Sequence, residues 1–432
     1  MKNFTQMLCL FLLTLSSVFA QQEKGIFGRN NWLNPWAEFQ PNTIEYGEPT
    51  EILSGDITED TKLNKKNIYL LLGNVFVTDS TTLTIEPGTV IIGDFKTNGS
   101  LTISKGSKII AEGTETDPIV FTSNKGVKKQ GDWGGVFILG DAPINKFGNE
   151  SLIDFGLKPS SSKNISYGGN NTESYSGIFK YVRIEYAGRR TINHGYFSAL
   201  TLAGVGHNTI VENVMVSHSN GNSFNVIGGE VILDKLVSYK SHGNDYEFNY
   251  GAQTIITNSL AIRSPYVSNS NRPKAMYVAS YNKRDEIDFS KKETFVSAEN
   301  LTLVNVSNDL AGDIKIGLVK EAIYIAPDAA FSMNKSVISG FNPAVVFDEN
   351  IKINNESLNK LKFTNMLFNN CNGNLFTRYN PNNDDLEDWY GNSSFFNVYA
   401  KSPDEETFID LKNNKRPDFR LRINKIVASN MD

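Results

Sequence analysis

Two short segments, 22 residues apart, carry most of the candidate chemistry of this chain. Asn220-Gly-Asn-Ser-Phe-Asn-Val aligns with His242-Gly-Asn-Asp-Tyr-Glu-Phe. Asp245 and Glu247 alternate, so an extended strand places both carboxylates on one face. Paired carboxyl groups ~5–9.5 Å apart could hydrolyse a glycosidic bond. With His242, His218, Arg183 and Arg263 nearby, eliminative cleavage of an acidic polysaccharide is the other enzymic option. An arginine would neutralise the uronate carboxylate and a base would take the α-proton. Plainer roles fit each residue: Arg183 and Glu185 alternate on an outward strand face, and both histidines fall in turns. Two carboxylates also make a poor calcium site, because Ca²⁺ takes six to eight oxygens. The expectation is no metal, no cofactor and no committed catalytic residue, with Asp245, Glu247, His242 and Arg263 as the candidates should catalysis occur.

Aromatic and amide side chains favour recognition instead. Tyr246, Tyr250, Tyr266 and Tyr277 cluster in or near the middle loops, beside His218 and Asn222. Flat rings with amide neighbours suit sugars and protein partners equally. These six residues are the expected binding set, for a glycan or an outer-membrane protein.

A repeating framework must position them. Leu83-Thr-Ile-Glu-Pro-Gly-Thr-Val-Ile-Ile returns 18 residues later as Leu101-Thr-Ile-Ser-Lys-Gly-Ser-Lys-Ile-Ile. A strand-rich repeat of about 20 residues points to a chain that stacks on itself. Downstream, Tyr181, Asn213, Lys235, Asn258, Asn300, Lys335 and Asn365 each precede a short apolar run, at steps of 32, 22, 23, 42, 35 and 30 residues. The short steps are single turns and the long ones carry insertions. The fold class expected is all-β: a single-stranded right-handed parallel β-helix of ~13 rungs, ~60–65 Å long at ~4.8 Å per rung. The asparagines are expected to stack at one corner and bond one another's amides, with Lys235 and Lys335 interrupting.

The expected segments are a signal peptide over 1–20, an aromatic-rich extension over 21–50 that folds onto the first rung, the β-helix over 51–375, and a C-terminal cap over 376–432. Lateral loops are expected at 141–175 and 265–293. Phe27, Trp32, Trp36 and Phe39 make the extension too aromatic for a free tail. The cap is needed because an open end exposes strand edges.

Lys2, the apolar stretch from Met7 to Leu15, and Val18-Phe-Ala read as a secretory signal cleaved before Gln21. That implies a periplasmic, outer-membrane-associated or secreted protein. The apolar stretch is too short to span a bilayer, and Cys9 comes too early to be a lipid anchor. The mature chain keeps only Cys371, so no intramolecular disulfide can form. A formal charge of −5 and a pI near 5.6 argue against a nucleic-acid partner.

Several stretches resemble a family of secreted parallel β-helix proteins of the Gram-negative outer envelope. They are Leu83 to Ile91, Pro118-Ile-Val-Phe-Thr-Ser, Gly131-Asp-Trp-Gly-Gly-Val-Phe-Ile-Leu-Gly-Asp-Ala-Pro-Ile-Asn, Tyr167-Gly-Gly-Asn and Tyr181-Val-Arg-Ile-Glu-Tyr-Ala-Gly. The resemblance covers roughly residues 65–345 and implies the same solenoid. Relatives are acidic in the paired turns, where this chain has Gly221, Asn222 and Asn225, then Gly243, Asn244 and Asn249. It implies a surviving scaffold with a depleted cation site, which places binding ahead of catalysis and a purely structural envelope role third.

Overall fold

The computed structural model describes residues 23–267, 272–378 and 383–428; the signal peptide expected over 1–20 lies outside them. The chain winds as a right-handed parallel β-helix with three faces. Eleven parallel strands, from Asp56–Ile57 to Phe376–Arg378, stack into one face among the described residues. The other two faces form one 20-stranded sheet folded along a corner. Eleven turns at ~4.8 Å make a rod of about 50 Å, shorter than expected because the lateral insertions use chain without adding rungs.

The corner explains the recurring sequence frame. Tyr181, Asn213, Lys235, Asn258, Asn300, Lys335 and Asn365 all have left-handed backbone, with φ between 43° and 58°. The strand registers on either side bring these seven positions over one another. Asparagine tolerates this conformation better than most residues. The bend turns the chain from one face to the next, and alternate Val, Ile, Leu and Phe side chains then fill the interior.

The amides at this corner do not bond one another as expected. Asn258 accepts from the Phe27 amide at 3.0 Å and donates to the Phe27 carbonyl at 3.3 Å. Asn300 donates to the carbonyls of Glu23 and Gly25, at 2.8 and 3.2 Å. The backbone of the N-terminal extension passes along the corner and takes these groups, since its own buried amides need partners.

That extension is also not confined to the first rung. It runs lengthwise as a strap, from Gly25 against Thr302 and Val337 back to Thr50, whose amide bonds the Ile68 carbonyl. On the way Trp36 packs on Tyr181, Phe39 on Tyr239, and the Tyr46 hydroxyl donates to Glu185. The cause lies on the sheet beneath. Met215, Val237, Leu260, Val337 and Leu367 face outward in register and form a cluster with Ile26, Leu33, Trp36 and Phe39. An apolar column of that length must be covered.

The C-terminal segment divides. The helix Asp384–Tyr390 seats the Tyr390 ring 4.0 Å from Phe376 at the end of the core. The hairpin Phe408–Asp410 with Asp418–Leu421 instead joins the strap, where Arg420 donates to the Gly28 carbonyl at 2.7 Å. No helix among the described residues is long and apolar enough to cross a membrane.

Candidate ligand-binding site

The 11-stranded face is covered over its first half and only partly covered beyond, where Glu247, Tyr277 and Tyr324 are half-buried. Phe137 and Leu139 point outward beneath Phe155, Tyr167 and Phe197 from the insertions. Further along, the outward column runs Asn225, Glu247, Tyr277, Tyr324 in register. The two paired turns meet on this face: Phe224 stands over Tyr246 and Asn225 over Glu247, at the 22-residue offset read from the sequence.

The strand Tyr246–Asn249 alternates inward and outward. Tyr246 points inward, stacked on Phe224 at 5.3 Å, with its hydroxyl donating to the Leu260 carbonyl at 2.8 Å and lying 3.1 Å from that of Leu236. It is 0% exposed and belongs to the core, not to the expected binding set.

Asp245 and Glu247 do not share a face as expected. Residue 245 lies in the turn before the strand begins, so the alternation does not extend to it. Its carboxylate is wholly enclosed, accepting from Arg263 Nη1 at 2.8 Å and from the Ser238 hydroxyl. Burial pushes the Asp245 carboxyl upward, and the Arg263 charge and these hydrogen bonds pull against it. Arg263 also donates to the carbonyls of Gly243, Lys274 and Ser241, at 3.0, 3.3 and 3.4 Å. The pair staples neighbouring turns together.

Glu247 sits half-buried among amides. It accepts from Asn222 Nδ2 at 2.7 Å, Asn244 Nδ2 at 2.8 Å and Asn249 Nδ2 at 3.1 Å. Burial raises its carboxyl above the usual range, and the three amides counter that. Asn222 and Asn244 extend the network, accepting from the backbone amides of Asn244 and Lys274. No cluster of three or more His, Cys, Asp or Glu suited to a metal occurs among the described residues.

Tyr277 and Tyr324 stack face to face along the rod, with centroids 5.6 Å apart and planes 4° from parallel. The Tyr324 hydroxyl donates to Asp348, while burial and the nearby Glu247 push the Tyr277 hydroxyl up to about 12. Lys274 lies 5.6 Å over the Tyr324 ring and 3.3 Å from Glu321.

A pocket of about 180 Å³ opens beside this column. Arg263, Arg272, Lys320 and Glu321 line it with Leu318 and Phe341. Arg263 is committed to Asp245, and Glu321 pairs with Lys274. Arg272 and Lys320 form no ion pair among the described residues.

The other sequence candidates lie apart. His218 closes the end of a strap-face strand, 5.4 Å from both Tyr186 and Tyr239, and burial lowers its pKa to about 4. His242 is held below the usual range by burial and by Arg263. Tyr250 is buried under the Lys146 ammonium at 4.3 Å. Tyr266 is 55% exposed, with its hydroxyl on Asp313 at 2.8 Å. The fold therefore unites Asn222, Glu247 and Tyr277, and sets Arg263 at the neighbouring pocket. Tyr324, Lys274, Arg272 and Lys320 escaped sequence reading because insertions of unequal length hide which residues share a column.

The model for the pectate-lyase-like beta helix domain matches residues 55–402. No curated protein matches the chain. Among solved structures, an alginate lyase from Paenibacillus sp. str. FPU-7 aligns at 9% identity over 82% of this chain and 98% of its own, with a TM-score of 0.26. A pectin methylesterase in complex with a hexasaccharide aligns at 8% identity over 72% and 86%, with a TM-score of 0.29.

Proposed function

We propose, for a chain that belongs to the pectate-lyase-like β-helix domain family, that it is an exported protein whose 11-stranded face binds an acidic glycan without cleaving it. The observation that carries this reading is the pocket beside the tyrosine column. Arg272 and Lys320 offer it positive charge with no carboxylate partner among the described residues, and Leu318 and Phe341 supply apolar wall. A uronate fits such chemistry: its carboxylate meets the cations and its hydroxyls meet Glu321, Asn305 and Ser264. The amides around Glu247 and the edges of Tyr277 and Tyr324 extend the polar surface.

Binding is favoured over cleavage because the carboxylates are already occupied. Asp245 is locked to Arg263 out of solvent, and Glu247 is held by three amide donors. Neither is poised to take a substrate proton.

Titration calorimetry with oligogalacturonate and oligoalginate tests this. Arg272→Ala with Lys320→Ala is expected to weaken binding at least ~10-fold, since a hydrogen bond to a charged group is worth about 1.5–3 kcal/mol. Chelator should leave both binding and melting temperature unchanged. Appearance of unsaturated sugar ends, abolished by Glu247→Gln, would replace this reading with a lyase.

A further inference from the structure

On the opposite edge of the same face lies a larger cleft, of about 340 Å³, which the acidic-glycan reading does not use. Its floor is made by two successive corners, Gly228-Gly229 after one strand and Tyr250-Gly251 after the next, all with positive φ. Loop 143–145 forms one wall and packs directly on these glycines. A Cβ at Gly228 would lie 2.4 Å from Ile144 Cγ2, and one at Gly251 would lie 2.9 Å from Asn145 Cβ. Glycine is required at both positions, and the wall is fixed by Gly229 donating to Pro143 at 2.7 Å and Asn145 to Tyr250 at 3.1 Å.

The second wall is Ser290 to Lys292, from the other insertion. The two insertions are clamped together: Asp288 donates to the Asn145 carbonyl at 2.9 Å, and Lys291 Nζ to the carbonyls of Lys146 and Gly148. The cleft is therefore built in advance, at the lower end of the ~300–1,000 Å³ typical of ligand sites.

Its walls carry both donors and acceptors, and its floor carries a carboxylate and an amide. Glu230 and Gln253, neighbours in register, line the floor. Glu230 has no ion pair among the described residues. Asn145 is 3% exposed; its Nδ2 bonds the Ser280 carbonyl at 3.1 Å, while its Oδ1 is enclosed without a donor. Both cations sit in the second wall, away from the floor: Lys291 Nζ is oriented by carbonyls and Lys292 stands exposed. The floor asks for hydroxyl donors, and Glu230 there disfavours a second carboxylate at its side. Pro143, Ile144 and three glycines supply apolar floor and wall for the C–H face of a ring.

We infer that this cleft is a second, independent binding site, which takes a neutral saccharide of one or two pyranose units. The inference stands apart from the acidic-glycan pocket, whose residues it does not share.

The test is titration calorimetry of residues 21–432 with cellobiose, lactose, maltose and diacetylchitobiose, and with digalacturonate as the charged control. At least one neutral disaccharide is expected to bind with a Kd of about 1 mM or tighter. Thr172→Trp, which fills the cleft from a half-exposed position, and Glu230→Ala should each weaken that binding at least ~10-fold. Arg272→Ala with Lys320→Ala should not change it, so the two sites can fail separately. Circular dichroism guards against misfolding, and Glu230→Gln supplies a gentler variant that should weaken binding less. Absence of binding by all four neutral sugars, or binding that survives both cleft variants, overturns the inference. Loss of digalacturonate binding in the cleft variants alone also overturns it.

Discussion

Two outward faces of the rod carry aligned apolar columns, yet the chain covers only one. On the strap face Met215, Val237, Leu260, Val337 and Leu367 are buried beneath residues 23–50. On the adjoining face Ile178, Ile210, Ile232 and Ile255 also stand in register, and the last three are 44%, 51% and 47% exposed. The difference lies in what flanks each column. The corner amides of Asn258 and Asn300 give the strap backbone its hydrogen bonds. Beside the isoleucines run charges paired among themselves, such as Lys180 to Glu212 at 3.1 Å and Lys335 to Glu299 at 2.8 Å. A covering segment there would have to desolvate those pairs. In a parallel stack each isoleucine shields its neighbours, so the bare column is tolerable without a cover.

If the strap is part of the stabilising core, its anchor should be the most sensitive position in this comparison. Trp36 is 0% exposed, stacked near Trp32 and edge-on to Tyr181. Trp36→Ala is expected to cost about 3–5 kcal/mol, the range for emptying a large aromatic from a core. Urea unfolding measures this directly. A cost below ~1 kcal/mol would make the strap a dispensable cover and erase the contrast between the faces.

Asn258 separates hydrogen bonding from burial. Asn258→Leu keeps the number and branching of side-chain heavy atoms but leaves the Phe27 amide and carbonyl without their partner. It also places a branched residue at a φ of 43°. The expected loss is about 1–3 kcal/mol, with the strap protected less from proteolysis while the solenoid stays folded. An unchanged melting curve would show that apolar contact alone holds the strap.

The corner also marks how far the sequence could be read. Seven residues in a repeated frame disclosed the winding and the shared corner, because a solenoid repeats its local constraints; the left-handed backbone there came from the structure. The 22-residue offset likewise placed Asn225 over Glu247. What stayed hidden was set by non-repeating chain. The strap joins Phe27 to Asn258, 231 positions apart, and no periodicity reports such a contact. Asp245 turned inward because the strand starts one residue later, a boundary finer than pattern reading resolves. Tyr277 and Tyr324 stack across an inserted segment, so their shared column is invisible to spacing. The cleft depends on two insertions meeting: both were legible as lateral loops, but no spacing reports that they touch.

The bare isoleucine face supplies the smallest expected effect. Ile232 lies at the centre of its column, between Ile210 and Ile255, and half of its surface is already in water. Threonine is β-branched and suits the same strand geometry, so Ile232→Thr removes only part of one side chain's burial. The expected cost is about 0.5–1 kcal/mol by urea unfolding, well below that of Trp36→Ala. Sedimentation should be unchanged, since a column that is bare in solution has no partner to lose. A cost above ~2 kcal/mol would place the isoleucines in a buried setting. A concentration-dependent shift in sedimentation that the substitution abolishes would identify the cover as a second copy of the chain. Either outcome would make the two apolar faces alike, one covered within the molecule and the other between molecules.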